Sequence, residues 1–297
     1  MTGVVSNART WGEMIKFSHS LFALPFAVLA TFLAARPSLP TWTQAGLIVL
    51  CMVAARSAAM TFNRIADARF DAANPRTAGR PLVTGRISTR AAWAFFLLAC
   101  GAFVLGCGGF WYFERNPWPL ILCLPVLGLL CAYSYTKRFT AWSHVVLGAA
   151  IALAPPAAWI AIRPETLGAA AWLLMAAVTF WIGGFDLIYA CQDVEFDRQV
   201  GLYSVPARLG VATALWLARG FHVLTVAALV GVGIVAELGA WYFVGVTCAG
   251  VLLLVENAIV HPHDLSRVNL AFFTLNGIVG VVLGVLGVLD VCLTAAK

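Results

Sequence analysis

Charge is scarce in this chain. Asp, Glu, Lys and Arg together make up 11% of its residues, against about a quarter in ordinary soluble domains. That shortage excludes a solvated globular surface. None of the eight cysteines forms a CxxC pair, so the common zinc and dithiol redox signatures are missing. Nearly all of them fall in apolar runs, where Cys behaves as a small hydrophobe. The first apolar run holds His19 and Pro25, and no clear small-x-small cleavage site follows it. It therefore reads as a helix and not as a signal peptide.

What is present is apolar. The 297 residues are 62% hydrophobic, with a mean hydropathy of +0.90. Apolar runs near twenty residues mark bilayer-spanning helices. They fall roughly at 17–35, 44–62, 91–112, 118–135, 144–162, 168–189, 211–235, 238–257 and 269–293. Nine such helices use about 180 residues, which leaves short loops and no room for a soluble domain. The expected fold is all-α, a polytopic membrane protein of about nine transmembrane helices around a central cavity capped on the cytoplasmic side. It is read as one domain spanning 1–297.

The net charge of +6 could point to nucleic acid, but its distribution argues against that. Arg56 and Arg219 fall inside apolar runs. Of the remaining basic residues, 13 lie in the N-terminal segment and alternate connections, and four (Arg36, Arg115, Arg163, Lys297) lie on the other side. This positive-inside bias predicts a multi-pass inner (plasma) membrane protein with its N-terminus in the cytoplasm. The lipid bilayer is the expected partner, with no nucleic acid.

Five of the seven Asp sit in two stretches. The first, NRIADARFDAANPRTAGRPLVTGR, runs from Asn63 to Arg86. Asn63, Asp67 and Asp71 recur every four residues and would stack on one helical face. Asn74-Pro75 should stop that helix. Arg80-Pro81-Leu82 and Gly85 suggest a turn that carries the arginines back over its end. The second stretch, DLIYACQDVEFDRQVGLYSVPARLG, runs from Asp186 to Gly210. Its Asp186, Asp193 and Asp197 are spaced to share a face, and both stretches are expected on the cytoplasmic side. Pro155-Pro156 should kink the fifth helix, and Gly183-Gly184 should let helices pack closely.

Paired carboxylates beside cations suit a hard divalent ion. Mg²⁺ takes one or two carboxylates and completes its shell with water and substrate phosphates. Two such clusters face to face would clamp a diphosphate, and Lys and Arg would neutralise the remaining charge. Diphosphate held in this way is a good leaving group. A membrane setting suggests a diphosphate joined to a long hydrocarbon. A lone DxxxD is usually a solvated face; two of them at helix ends on one side are not.

These segments carry a resemblance. NRIADARFDAANPRTAGRPL is similar to the first aspartate motif of the UbiA family of intramembrane prenyltransferases, and DLIYACQDVEFDRQVGLYSVPARLG to its second. YSYTKRFTAWSHVVLG resembles the segment after helix 4 in 4-hydroxybenzoate polyprenyltransferases. The resemblance implies catalytic and metal roles for Asp67, Asp71, Asp193 and Asp197, with Asn63 completing the metal set for two Mg²⁺ ions. It implies diphosphate binding by Arg64, Arg80 and Lys137, and aromatic-acceptor contacts by Arg138, Asp186 and Tyr189. The implied activity is Mg²⁺-dependent transfer of a polyprenyl group from polyprenyl diphosphate to a ring carbon of an aromatic acid, 4-hydroxybenzoate first, in ubiquinone biosynthesis. Asp193 or a nearby carboxylate would orient or deprotonate the phenol.

Alternatives remain open at this level. FSHSLFALPFA resembles members that prenylate a dihydroxynaphthoate-type acceptor in menaquinone synthesis. An ion- or proton-coupled transporter is the reading from another class, although transporter sites tend toward the midplane. The DG…AR…G pattern of the CDP-alcohol phosphotransferases is missing. Elsewhere, Arg219 and His222 read as snorkelling residues, and Glu256 and Asn257 as cavity-lining candidates. His261, His263 and Asp264 read as a solvated loop. Asp290 is expected to reach water.

Overall fold

The structure is a computed structural model that describes residues 10–15 and 20–295; His19 and Lys16 lie outside the described residues. Only helices and tight turns bear the membrane-length segments. The elements are α1 (Ser20–Ala35), α2 (Trp42–Ala73), α3 (Thr89–Glu114), α4 (Trp118–Ala132), α5 (Ser143–Ile151), α6 (Ala154–Ile162) and α7 (Ala169–Ala190). They continue as α8 (Val194–Val200), α9 (Val205–Leu209), α10 (Val211–Val235), α11 (Ala240–Ile259) and α12 (Asn276–Ala295). A 3-10 turn, Tyr133–Arg138, follows α4, and a π-turn, Ala271–Leu275, leads into α12.

Among the described residues, eight helices are long and apolar enough to cross a membrane, and Ala23–Ala35 is a shorter apolar helix. Together these match the nine predicted runs. The all-α, multi-pass reading therefore holds. Helices suit this solvent because they satisfy their own backbone groups. Large apolar side chains face outward along them, and tryptophans punctuate the helix ends. Trp42 is 94% exposed at the start of α2, and Trp111, Trp118, Trp172, Trp216 and Trp241 are exposed at or near other helix ends. Amphipathic rings collect at membrane–water boundaries.

The chain divides into two compact units, one formed by residues 1–20 and 49–135 and the other by 21–48 and 136–297. In the first, Ala54 and Ala58 of α2 pack against Ala99, Phe103 and Cys107 of α3 and Cys123 and Leu127 of α4. Phe62 meets Phe96 at 5.5 Å and Tyr135 at 5.9 Å. A second small cluster, Met14, Ile87 and Ala92, seats the segment around Trp11 beside the start of α3.

In the second unit α7 is the central helix. Trp181, Leu174, Ile182, Leu187 and Ile188 on it are fully buried. Gly148 of α5 lies directly against the backbone of Thr179 and Gly183. No side chain fits there, so α5 and α7 meet backbone to backbone. Gly184 is covered by the ring of His222 from α10. The predicted close packing at the glycine pair is thus present, with α5 and α10 as the neighbours. The span from Ser143 to Ile162 is broken at Ala152 and Leu153, and Pro155-Pro156 open its second half at the first turn of α6. That is where proline is tolerated, because the first amides of a helix have no intrahelical partner.

Two sequence expectations are corrected in this unit. Asp290 does not reach water: it is buried, and its carboxylate accepts from the amides of Gly239 (2.6 Å) and Tyr242 (3.5 Å) at the start of α11. Unpaired amides at a helix N-terminus favour an anion. His222 does not snorkel either. Its ring is buried, with Nδ1 2.6 Å from Asn257 Nδ2. Arg219 stacks over Trp216, 4.4 Å from the ring centroid.

Candidate active site

The first acidic stretch belongs to the first unit. It is the last three turns of α2, which stops at Ala73, immediately before Asn74-Pro75, as the sequence predicted. Asn63, Asp67 and Asp71 share a face. Asn63 Nδ2 donates to Asp67 Oδ2 at 2.9 Å and approaches Ser134 Oγ at 3.4 Å. Arg64 is buried. Its guanidinium donates to Asn63 Oδ1 at 3.3 Å and to the Met14 carbonyl at 3.4 Å.

The loop after α2 returns as the sequence suggested. The Thr77 hydroxyl donates to the Asp71 carbonyl at 3.0 Å, and the Arg80 amide to the Thr77 carbonyl. Arg80 Nη1 then reaches Asp71 Oδ2 at 2.5 Å. Gly85 takes the left-handed conformation, with φ of 74°, in the turn before Ser88 caps α3. Arg86 fastens the loop to Glu13 at 3.0 Å. A guanidinium is therefore already held on the acidic face.

The second stretch belongs to the second unit. Asp186 and Tyr189, three residues apart on α7, are partly exposed, while every other residue from Trp181 to Cys191 is buried. The chain then tightens into a 3-10 turn, Cys191–Asp193, before α8 begins. That change of pitch shifts Asp193 and Asp197 by about 60° from the positions that constant winding would give them relative to Asp186. Asp193 is 6% and Asp197 2% exposed, both turned inward, unlike Asp186. Leu187, Ile188, Cys191, Val205, Ala214 and Leu215 form the apolar cluster that holds this turn. Asp197 Oδ2 is buried without a hydrogen-bond partner.

Lys137 is half-buried and Arg138 exposed on the 3-10 turn after α4. The Tyr203 amide donates to the Lys137 carbonyl at 2.7 Å, which ties that turn to the loop before α9. Arg198 and Arg208 are engaged locally, by the Ala207 carbonyl at 2.9 Å and the Tyr203 ring at 4.1 Å. Tyr189 stacks on Phe272, ring centroids 4.2 Å apart.

The donor set fits a Mg²⁺ site whose shell is finished by substrate. Among the described residues no three His, Cys, Asp or Glu side chains gather into a closed metal cage. Each stretch instead offers a pair of carboxylates, the number Mg²⁺ takes when phosphates and water supply the rest. A buried carboxylate oxygen without a partner is costly, and the one on Asp197 is of the kind a cation satisfies. His261, His263 and Asp264 form a tight turn in which His261 and Asp264 exchange backbone hydrogen bonds.

Sequence reasoning assigned no role to His144, although it lies inside a quoted motif. Its ring is buried and its Nδ1 sits 2.6 Å from Asp186 Oδ2. Its position in an apolar helix was the available signal, since an ionisable side chain there needs a partner. Arg56 was set aside as part of an apolar run, yet its Nε is buried without a partner. Glu256, a cavity-lining candidate, is fully buried and accepts from Asn276 Nδ2 at 2.9 Å; Asn276 Oδ1 in turn accepts from Trp181 Nε1 at 2.6 Å.

Known proteins share both the sequence and the fold. The 4-hydroxybenzoate octaprenyltransferase of Aromatoleum aromaticum is 33% identical over 252 residues, 82% of this chain and 80% of its own. A UbiA homologue from Aeropyrum pernix superposes with a TM-score of 0.82 at 31% identity, covering 92% of this chain and 98% of its own. A UbiA homologue from Archaeoglobus fulgidus, solved with DMAPP and Mg²⁺, shares the fold at a TM-score of 0.68 and 20% identity, covering 95% of this chain and 99% of its own. Residues 23–278 match the model of the UbiA prenyltransferase family. With both aspartate stretches inside that match, this chain belongs to the UbiA prenyltransferase family.

Proposed function

We propose that this prenyltransferase moves a polyprenyl group from its diphosphate to a ring carbon of an aromatic acid, 4-hydroxybenzoate before other acceptors, with Mg²⁺ as cofactor. The observation that carries the reading is the buried, unpartnered Asp197 carboxylate oxygen within the family's second acidic stretch. Relatives named 4-hydroxybenzoate octaprenyltransferase support the acceptor. The homologue solved with DMAPP and Mg²⁺ supports the metal and the diphosphate.

Asn63, Asp67 and Asp71 of the first unit would hold one Mg²⁺, and Asp193 and Asp197 of the second unit another. Bound there, the metal supplies positive charge against the charge that grows on the departing oxygen. Arg64, Arg80 and Lys137 bind the diphosphate. Arg80 exchanges Asp71 for a phosphate oxygen, a charge-assisted contact of the same kind. Arg138 meets the acceptor's carboxylate, and Asp186 and Tyr189 line its place. The surrounding apolar helices exclude water, which otherwise captures the allylic cation. The positive-inside bias assigns the N-terminus and both acidic stretches to the cytoplasmic side.

The test is prenyl transfer by membranes carrying this protein, with geranyl diphosphate and either 4-hydroxybenzoate or a dihydroxynaphthoate, with and without Mg²⁺. The expected result is Mg²⁺-dependent ring prenylation of 4-hydroxybenzoate. Prenylation of the naphthoate alone would replace the acceptor, as the FSHSLFALPFA opening allows. Full turnover in a chelator, or in Asp67→Ala or Asp193→Ala, would overturn the metal assignment.

A further inference from the structure

We propose that Asp186, oriented by His144, takes the hydroxyl proton of the aromatic acceptor as the ring attacks. The proposal rests on the prenyl-transfer reading and adds a proton-handling pair to it. Between Trp181 and Ala190 only Asp186 and Tyr189 break the burial of α7, and the Asp186 side chain keeps 19% of its surface exposed. His144 is at the start of α5, one turn before Gly148. The absence of a side chain at Gly148 brings α5 onto the α7 backbone, and that approach sets the His144 ring beside Asp186.

The roles within the pair follow from burial. An ionised carboxylate only accepts, so at 2.6 Å the proton between them is carried by His144 Nδ1. His144 Nε2 is sealed in the protein with no partner, so the imidazole cannot meet a substrate. His144 is thus a positioning residue. It fixes one carboxylate oxygen of Asp186 and its tautomer is fixed in return, the usual logic of an oriented His–carboxylate pair. The other oxygen of Asp186 is left for a hydroxyl. Asp193 and Asp197 are buried and assigned to the metal, and Glu195 is exposed on α8, which leaves Asp186 as the remaining aspartate of the second stretch and the one paired with a buried histidine.

The chemistry balances. The ring carbon beside the hydroxyl-bearing carbon bonds to C1 of the prenyl chain. The C1–O bond breaks, and its electron pair leaves with diphosphate. The hydroxyl proton passes to Asp186, giving a ring ketone. The hydrogen on the newly alkylated carbon is then lost to diphosphate or water, and Asp186 returns its proton to the ketone oxygen. The aromatic phenol and the carboxylate are both restored.

The full-length protein in lipid nanodiscs, with Mg²⁺ and geranyl diphosphate isotopically labelled at its bridging oxygen, separates ionisation from transfer. Scrambling of the label reads ionisation without acceptor; ring-prenylated product reads transfer. Asp186→Asn is expected to scramble within about threefold of wild type while transfer falls roughly a hundredfold. That loss should shrink for ring-fluorinated acceptors, whose hydroxyl ionises more readily, which a purely structural role would not produce. His144→Leu should lower kcat roughly tenfold without changing the KM for the diphosphate, and His144→Asn, which keeps an N–H near the Nδ1 position, should recover most of it. Loss of scrambling together with transfer in Asp186→Asn, retained transfer, or an equal loss for every acceptor would overturn the proposal. A wild-type protein showing neither scrambling nor transfer would instead overturn the prenyl-transfer reading.

Discussion

Replacing Asp197 by Asn separates a metal ligand from a structural carboxylate. Asp197 is 2% exposed, and its Oδ2 has no partner. Leaving such an acceptor unsatisfied costs about 1–3 kcal/mol. The asparagine keeps the shape and removes the charge, so the metal-free variant should be no less stable than wild type, and by up to about 1 kcal/mol more stable. Divalent cation reverses the order. Mg²⁺ held at a hundred times its Kd, with pyrophosphate supplying the remaining ligands, stabilises wild type by about 2.7 kcal/mol. For a chain of this size that is a rise on the order of 5 °C in the unfolding midpoint. The variant should show little of it. Intrinsic tryptophan fluorescence during heating in detergent, at one fixed scan rate, reads both quantities without any turnover. An equal Mg²⁺ response in the two proteins would remove Asp197 from the metal set. A marked destabilisation of the metal-free variant would show that the carboxylate holds the fold.

Three other substitutions test separate parts of the structure. Arg80→Ala breaks a partly exposed pair, so its stability cost should stay below about 1 kcal/mol, while the KM for the prenyl diphosphate rises roughly tenfold and that for the acceptor is unchanged in steady-state assays. Gly148→Ala puts a methyl against the Thr179 backbone; a loss of about 1–3 kcal/mol and a fall in kcat are expected together, from thermal unfolding and turnover on one preparation. Asp290→Ala uncaps α11 and should cost about 0.5–2 kcal/mol by the same unfolding measurement, with transfer at normal rates.

The fold was legible because lipid leaves few choices. Apolar runs of membrane length forced helices, and Asn74-Pro75 and Pro155-Pro156 marked where they stop or break. The first acidic face was equally legible, since α2 continues unbroken through Asn63, Asp67 and Asp71. The second was legible as a stretch but not in its winding: four-residue spacing assumes constant pitch, and the 3-10 turn at Cys191–Asp193 changes it. His144 was hidden for another reason: its partner is 42 residues away in the chain, and only the bare backbone at Gly148 brings them together. Asp290 misled because an acidic residue near a helix end usually meets water, whereas here the amides of α11 lie next to it.

The π-turn at Ala271–Leu275 has a consequence for register. A wide turn of this kind is an α-helix with one surplus residue, and here the Asn276 side-chain amide bonds the Ala271 carbonyl at 3.0 Å across it. The wide turn unwinds the backbone by about 100°, as much as one extra residue winds it, so α12 beyond it faces its neighbours as an uninterrupted helix would. Deleting one residue of the turn would therefore keep the azimuth of α12 and remove only the Asn276–Ala271 contact. Asn276 would still face Glu256 and Trp181, held by two bonds and not three.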